Sequence, residues 1–216
     1  MPPIYHFTHV SNLGRIASHG GLWSDSERLR NGCVCVNIAY QDLKGKRARK
    51  RIPPSGGGVG VIADYVPFHF ANRSPMLGTI HPGNVPGYTD GQKSVVYLVT
   101  SVERVARAGL AWCFTDGHAI EAVTEFFTVL TDLNKVDWSM IQSWSWGRVN
   151  AVDGDTDRMR RKQAEFLVHG SFLWELVEEL GVISKAMEEQ VTGILDASGV
   201  THRPRPEQVV LLSHPS

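Results

Sequence analysis

The stretch Arg160–Gly170, "RRKQAEFLVHG", passes from three cations into a short apolar run, and one carboxylate, Glu165, sits inside that run. The composition is that of a strand. Alternation then puts Gln163, Glu165, Leu167 and His169 on one face and Ala164, Phe166 and Val168 on the other. The first face is mixed, and a mixed face fronts either a cleft or solvent. Most strand glutamates are structural or exposed, so local pattern alone leaves Glu165 between an ordinary surface acid and a group held for chemistry.

Strands and helices extend outward from this segment. Ile4–Phe7, Cys33–Ile38, Val95–Thr100 and Ala111–Phe114 have strand composition, and 208–213 reads as a closing strand. Val61–Phe70 reads as extended, with Pro67 implying an edge or a break. Ser11 is placed to cap a short helix that buries Leu13, Ile16 and Ala17 and stops at Gly20-Gly21. His118–Leu130 has helical spacing, with Val123, Phe126, Phe127 and Leu130 on one face. Phe172–Leu180 is expected to be a short helix, Val182-Ile183 a further short strand, and Ser184–Ala197 a helix. Pro53-Pro54 and Gly56-Gly57-Gly58 make 53–60 a loop. With no repeat and no long linker, residues 1–216 are expected to form one mixed α+β domain.

Charge distribution says more than net charge. The chain has 22 Lys and Arg against 22 Asp and Glu, a formal balance of zero, yet "KGKRARKR" (44–51) holds six cations in eight residues and "RMRRK" (158–162) four in five. One such run is usually a solvated face; two make a polyanionic or phosphate-bearing ligand credible. No apolar stretch approaches the ~18 residues of a membrane helix. The start, "MPPIYHFTH", has no basic and apolar leader pattern. Three cysteines, two of them in a C-x-C, fit a reduced, cytoplasmic protein better than a disulfide framework.

Local motifs are weak taken singly. His6 and His9 would face opposite sides of a strand, which disfavours a shared metal, and no metal is expected. His6 and Thr8 share a face and are candidates to hydrogen-bond a polar ligand. "GGG" (56–58) lacks the lysine-serine pair of a phosphate loop. His118 follows the turn Thr115-Asp116-Gly117 and sits near the expected helix start.

Taken jointly, "IYHFTHVSNLGRIASHGGL" (4–22), "GKRARKRIP" (45–53), "DYVPFHFANRSPML" (64–77), "WCFTDGHA" (112–119) and "RKQAEFLV" (161–168) resemble the DarT family of bacterial DNA ADP-ribosyltransferase toxins, in the family's order and over most of the chain. The loop 55–63 departs from the family in length and apolar character. The resemblance implies an ADP-ribosyltransferase fold: two packed, twisted β-sheets with flanking helices and NAD in the cleft between them. It implies transfer of ADP-ribose from NAD to a base, thymine in the best-known branch, within a short motif of single-stranded DNA. It also implies a macrodomain antitoxin, DarG, as partner.

That reaction passes through an oxocarbenium-like ribose, the kind of transition state met in glycoside hydrolysis. It needs an ionised carboxylate held rigidly near C1′. The family motif gives this role to Glu165. Arg47, in "GKRA", is the second catalytic candidate: permanently cationic, it suits binding NAD phosphate or polarising the base carbonyl. The resemblance further assigns His6 and Thr8 to the nicotinamide end and Asn12 to the cofactor. DNA contacts are expected from Arg49, Lys50, Arg51, Arg160 and Arg161 at phosphates, and from Tyr65, Phe68, Arg73, Met76 and His118 around the bases. A base in a duplex hides its pairing edge, hence a single strand. The competing readings are an ADP-ribosyltransferase that acts on protein or RNA, and a nucleic-acid-binding module without catalysis.

Overall fold

A computed structural model describes residues 1–53, 56–80, 85–144 and 154–209. Ten strands appear among the described residues: β1 Pro3–His9, β2 Gly21–Trp23, β3 Tyr65–His69, β4 Val95–Ser101, β5 Trp112–Thr115, β6 Phe126–Phe127, β7 Glu165–His169, β8 Ser171–Leu173, β9 Glu179–Val182 and β10 Arg205–Gln208. The helices are α1 Leu13–Ser18, α2 Asp25–Arg30, α3 Gln41–Arg47, α4 Pro75–Ile80, α5 Val102–Arg107, α6 Trp138–Gln142, α7 Arg158–Lys162 and α8 Lys185–Ser198. The class is α+β, and no helix among the described residues is long and apolar enough to cross a membrane.

One eight-stranded sheet runs β10-β9-β4-β1-β3-β7-β5-β6, and β2 pairs with β8 in a small second sheet. The large sheet has a weak joint at its middle. β1 and β4 align over their whole length, from Pro3 opposite Ser101 to His9 opposite Val95. β1 and β3 meet only at Tyr5 opposite His69. The two expected sheets are therefore the two halves of one ladder. Pro67, in β3, has no N–H to donate, and its carbonyl is taken by the His6 side chain, Nδ1 to O 2.8 Å, where a strand partner would otherwise sit. Pro67 thus marks an internal edge, and the sheet opens there.

Burial fixes the rest. All of β4 except its last residue is buried, as are Phe68, Phe114, Phe166 and Phe172; each such side chain contributes roughly 1.5–3 kcal/mol. Helix α8 starts where expected: the Ser184 hydroxyl accepts from the Met187 N–H, and Gly199 in the left-handed region ends it. Met187, Val191 and Leu195 face the core. Leu13 and Ala17 of α1 are likewise buried, though the cap before α1 comes from His9, which accepts from the Ser11 N–H.

Four expectations are corrected. Cys33–Ile38 is not a strand: Val34 and Val36 are exposed, and side chains hold its backbone instead. The Asn12 amide exchanges two bonds of 2.9 Å with Val36, and Arg28 donates to Cys33 O at 2.9 Å. Residues 118–130 are not a helix. Val123 is 72% exposed, so the supposed apolar face has nothing to cover. The Thr124 hydroxyl donates to His118 O and the Glu125 N–H to Asp116, local bonds that compete with helix; Phe126–Phe127 then pairs with β5. Phe172–Leu180 is β8, a 3₁₀ turn and the start of β9, because Gly170 turns the chain back so that Phe172 pairs opposite Leu22. The closing strand is Arg205–Gln208, parallel to β9, and positions 210–213 lie outside the described residues, as do 54–55 of the loop 53–60.

Candidate active site

Glu165 opens β7 and is 1% exposed. Its backbone N–H and both carboxylate oxygens are held. Its backbone N–H donates to the Thr115 hydroxyl at 3.0 Å; its Oε1 accepts from the Ala119 N–H at 3.0 Å; its Oε2 accepts from Arg47 Nη1 at 2.8 Å. Thr115 also donates to Gly117 O at 2.6 Å, so a single hydroxyl ties β7 to the turn that presents Ala119. A carboxylate held at both oxygens and at its backbone has little freedom of direction, which is what a charge-stabilising group needs.

The charge state follows. Burial pushes the Glu165 carboxyl up, but Arg47 first, then His118, His69 and the Ala119 N–H, pull it down, and the balance leaves it below its ordinary value. It is an anion at neutral pH. The histidines nearby are neutral: burial lowers His6 and His118, and it takes His69 down to about 4. Arg47 is therefore the cation that balances Glu165, and its Nη2 is buried with no partner.

These groups line one cavity of about 910 Å³, within the ~300–1,000 Å³ of small-molecule sites. His6, Thr8 and Asn12 form one wall, Glu165, His69 and His118 another, and Arg15, Arg28, Lys44 and Lys46 add positive charge beside Arg47. Thr8 accepts from Asn12 at 3.2 Å. Asn12 lines the cavity while holding the Val36 backbone, so its amide shapes the 33–38 wall. Met76 lines the cavity as well.

The other expected DNA residues divide. Arg49 and Arg51 are exposed. Arg73 lies 3.4 Å over the Trp144 ring, a cation–π stack. Tyr65 and Phe68 are core: Tyr65 is 5% exposed, packs with Ile52 and Leu167, and bonds Val59 through its hydroxyl. Arg160 and Arg161 are not free cations. Arg160 binds Asp157 at 2.7 Å and Asp116 at 3.0 Å, and Arg161 is paired with Asp137 and Asp155. The nearby acids, distant in sequence or across a turn, absorb the charge that the run displays on paper. Lys162 is buried outright, its ammonium on the carbonyls of Ile141 and Ser143 at 2.6 Å each.

Sequence reasoning missed His69, Thr115 and the Ala119 N–H. His69 stands inside a quoted motif, but only the register, His69 opposite Glu165, shows that it shares the carboxylate's face. It also missed α3, which forms through the basic run and carries Arg47 in its last turn.

Gly117 offers a check on how the turn is held. A Cβ there would lie 2.3 Å from Arg160 Nη1 and 2.9 Å from its Cγ, and Arg160 is pinned by two aspartates. Gly117→Ala is expected to cost about 1–3 kcal/mol, read as a lower Tm; an unchanged Tm would show that Arg160 yields.

Known proteins are similar to this chain in sequence and fold. A family model, ssDNA thymidine ADP-ribosyltransferase, DarT, matches residues 5–210. A DNA ADP-ribosyl transferase of Thermus sp. (strain 2.9) is 39% identical over 204 residues, covering 94% of this chain and 91% of the relative. The solved structure of Thermus sp. 2.9 DarT in complex with ADP-ribosylated ssDNA superposes with a TM-score of 0.85 at 36% identity, over 96% of this chain and 93% of that one. The same protein in complex with NAD+ gives 0.81 at 35% identity, over 96% and 94%.

Proposed function

This chain belongs to the DarT family of ssDNA thymidine ADP-ribosyltransferases, and on that premise we propose that it transfers ADP-ribose from NAD to a thymine of single-stranded DNA at the Glu165 cavity. The observation that carries the assignment to this cavity is a buried carboxylate kept anionic by Arg47 and aimed from a strand.

NAD fits as a substrate. The cavity has the volume, and of the four cations that line it besides Arg47, Arg28 and Lys44 are paired with Asp25, so Arg15 and Lys46 are the charges assigned to the pyrophosphate. As the bond from C1′ to nicotinamide breaks, the pair of electrons leaves with nicotinamide and the ribose becomes cationic. Glu165 stabilises that charge across the cleft. The attacking thymine nitrogen loses its proton to the Glu165 carboxylate as it bonds to C1′. Arg47 cannot serve as base; it holds Glu165 and polarises the incoming carbonyl. His6 and Thr8 wall the nicotinamide end. Arg49 and Arg51 receive the DNA backbone, and Met76 borders the base. The cavity draws residues from His6 to Glu165, and β9 and β10 continue the same sheet, which supports reading 1–216 as one domain. The setting is a bacterial toxin–antitoxin pair in the cytoplasm, with a macrodomain antitoxin as partner.

The experiment incubates the protein with NAD and single-stranded oligonucleotides that differ in one base, and reads intact mass. One added ADP-ribose on thymine-containing strands alone is expected; a gain on protein only would overturn the assignment. Asn12→Ala frees the 33–38 wall by removing two hydrogen bonds, each worth ~1 kcal/mol. The KM for NAD should rise ~10-fold with kcat nearly unchanged; a loss confined to kcat would count against this role.

A further inference from the structure

Arg47 and His69 have something in common. Among the described residues, only Arg47 Nη2 and His69 Nδ1 are buried polar side-chain atoms without a partner on residues that line the Glu165 cavity. A buried polar atom left unpaired costs about 1–3 kcal/mol, and a site that tolerates two beside one carboxylate is built for a ligand that satisfies them.

The placement of His69 narrows what that ligand offers. It is the cross-strand partner of Glu165, so the two side chains leave the sheet on one face as nearest neighbours. Arg47 meets Glu165 at Oε2. Glu165 therefore has two donor residues as neighbours, Arg47 and His69. The His69 ring is stacked on Phe7, centroids 5.1 Å apart and planes 19° apart. No hydrogen bond at Nδ1 holds the ring in this orientation. Burial keeps it neutral, with one N–H to give and no second charge to compete with Arg47 for the carboxylate.

We propose that His69 is a specificity-determining contact to the target base, donating a hydrogen bond to one of the two carbonyls that flank the ring N–H of thymine while Arg47 donates to the other. The inference rests on the DNA-modifying function proposed above. The edge offered by the protein reads donor, acceptor, donor: Arg47, Glu165, His69. Thymine presents carbonyl, N–H, carbonyl, its complement. Cytosine sets an amino group against a donor and a lone pair against the carboxylate. Guanine sets its amino group against a donor. The proton that leaves the ring nitrogen goes to Glu165, and both carbonyls, where the resulting negative charge collects, remain hydrogen-bonded.

The test compares oligonucleotides whose target is thymine, 2-thiothymine or 4-thiothymine, since sulfur accepts hydrogen bonds poorly. In the unsubstituted protein each thio change is expected to slow transfer, each by ~10-fold or more. His69→Phe, similar in shape but without ring nitrogens, should lower kcat/KM on thymine by ~10–100-fold and leave the NAD-induced rise in Tm intact. In that variant one of the two thio substitutions should have no further effect, whereas a merely structural role would leave both effects in place. A His69→Phe rate within twofold of the unsubstituted protein, or both thio effects unchanged in the variant, overturns the contact while leaving the DNA function standing. If the unsubstituted protein modifies no oligonucleotide, the function itself falls and takes the contact with it. Should His69→Phe fail to fold, the same thio comparison is made with His69→Gln, where a changed carbonyl dependence supports the contact and an unchanged one overturns it.

Discussion

Glu165→Gln is expected to lower ADP-ribose transfer by at least ~10³-fold in a chain that still folds. The amide keeps the carboxylate's shape and can still accept from the Ala119 N–H. It loses the charge that faces the cationic ribose, and it cannot take the thymine proton. Both losses act in the transition state and hardly at all on bound NAD, so kcat should collapse while NAD affinity holds. Arg47, only 13% exposed, loses its counter-ion, so a drop in Tm is expected as well. Rates are therefore compared below the onset of unfolding. Retention of more than a tenth of the activity would remove Glu165 from the chemistry.

Arg47→Gln should lose ~10²–10³-fold in rate and, more tellingly, should move the acid limb of the pH–rate profile upward. With Arg47 present, its attraction leads the group of forces that outweighs burial and keeps the carboxyl below its ordinary value. Without it, burial dominates and the carboxyl titrates above that value. The stability profile should change sign with it. In the native protein Glu165 binds fewer protons folded than unfolded as pH falls past the ordinary glutamate range. Its contribution is present above that range and is lost as pH drops through the depressed folded value. In the variant the folded chain holds the proton longer than the unfolded one. Stability should then fall as pH rises from the ordinary value to the raised one. Rate and thermal unfolding measured between pH 4 and 8 check both; an unmoved acid limb would mean that Arg47 does not set the charge of Glu165.

Residue identity made part of this site legible, and partner identity hid the rest. Glu165, Arg47, His6 and Thr8 stand in motifs whose residue types match the chemistry, and the structure brings all four to one cavity. Arg160 and Arg161 read as free cations because the aspartates that neutralise them include Asp116 and Asp137, more than twenty residues away. Residues 118–130 read as a helix because spacing cannot register that Thr124 and Asp116 would bond backbone groups in a folded loop. His69 was passed over because strand register lies in the pairing of two segments almost a hundred residues apart, and alternation within one segment does not reveal which residue lies opposite. The position of Tyr65 turned on burial, which no local pattern decides for an aromatic strand residue.

The joint at Tyr5 and His69 has a consequence for synthesis. The half of the sheet that carries Glu165 is complete once His169 has emerged from the ribosome. The other half holds β1, which bears His6 and Thr8, and also β9 and β10, which follow β7 in the chain. Strand β1 pairs along its length with β4, so its place beside the joint is already defined when Glu165 is made. β9 and β10 add afterwards, on the far side of β4. Every residue that lines the cleft lies between His6 and Glu165. A nascent chain stalled soon after β7 would therefore carry the whole lining, and the strands that follow brace one wall from outside rather than complete it.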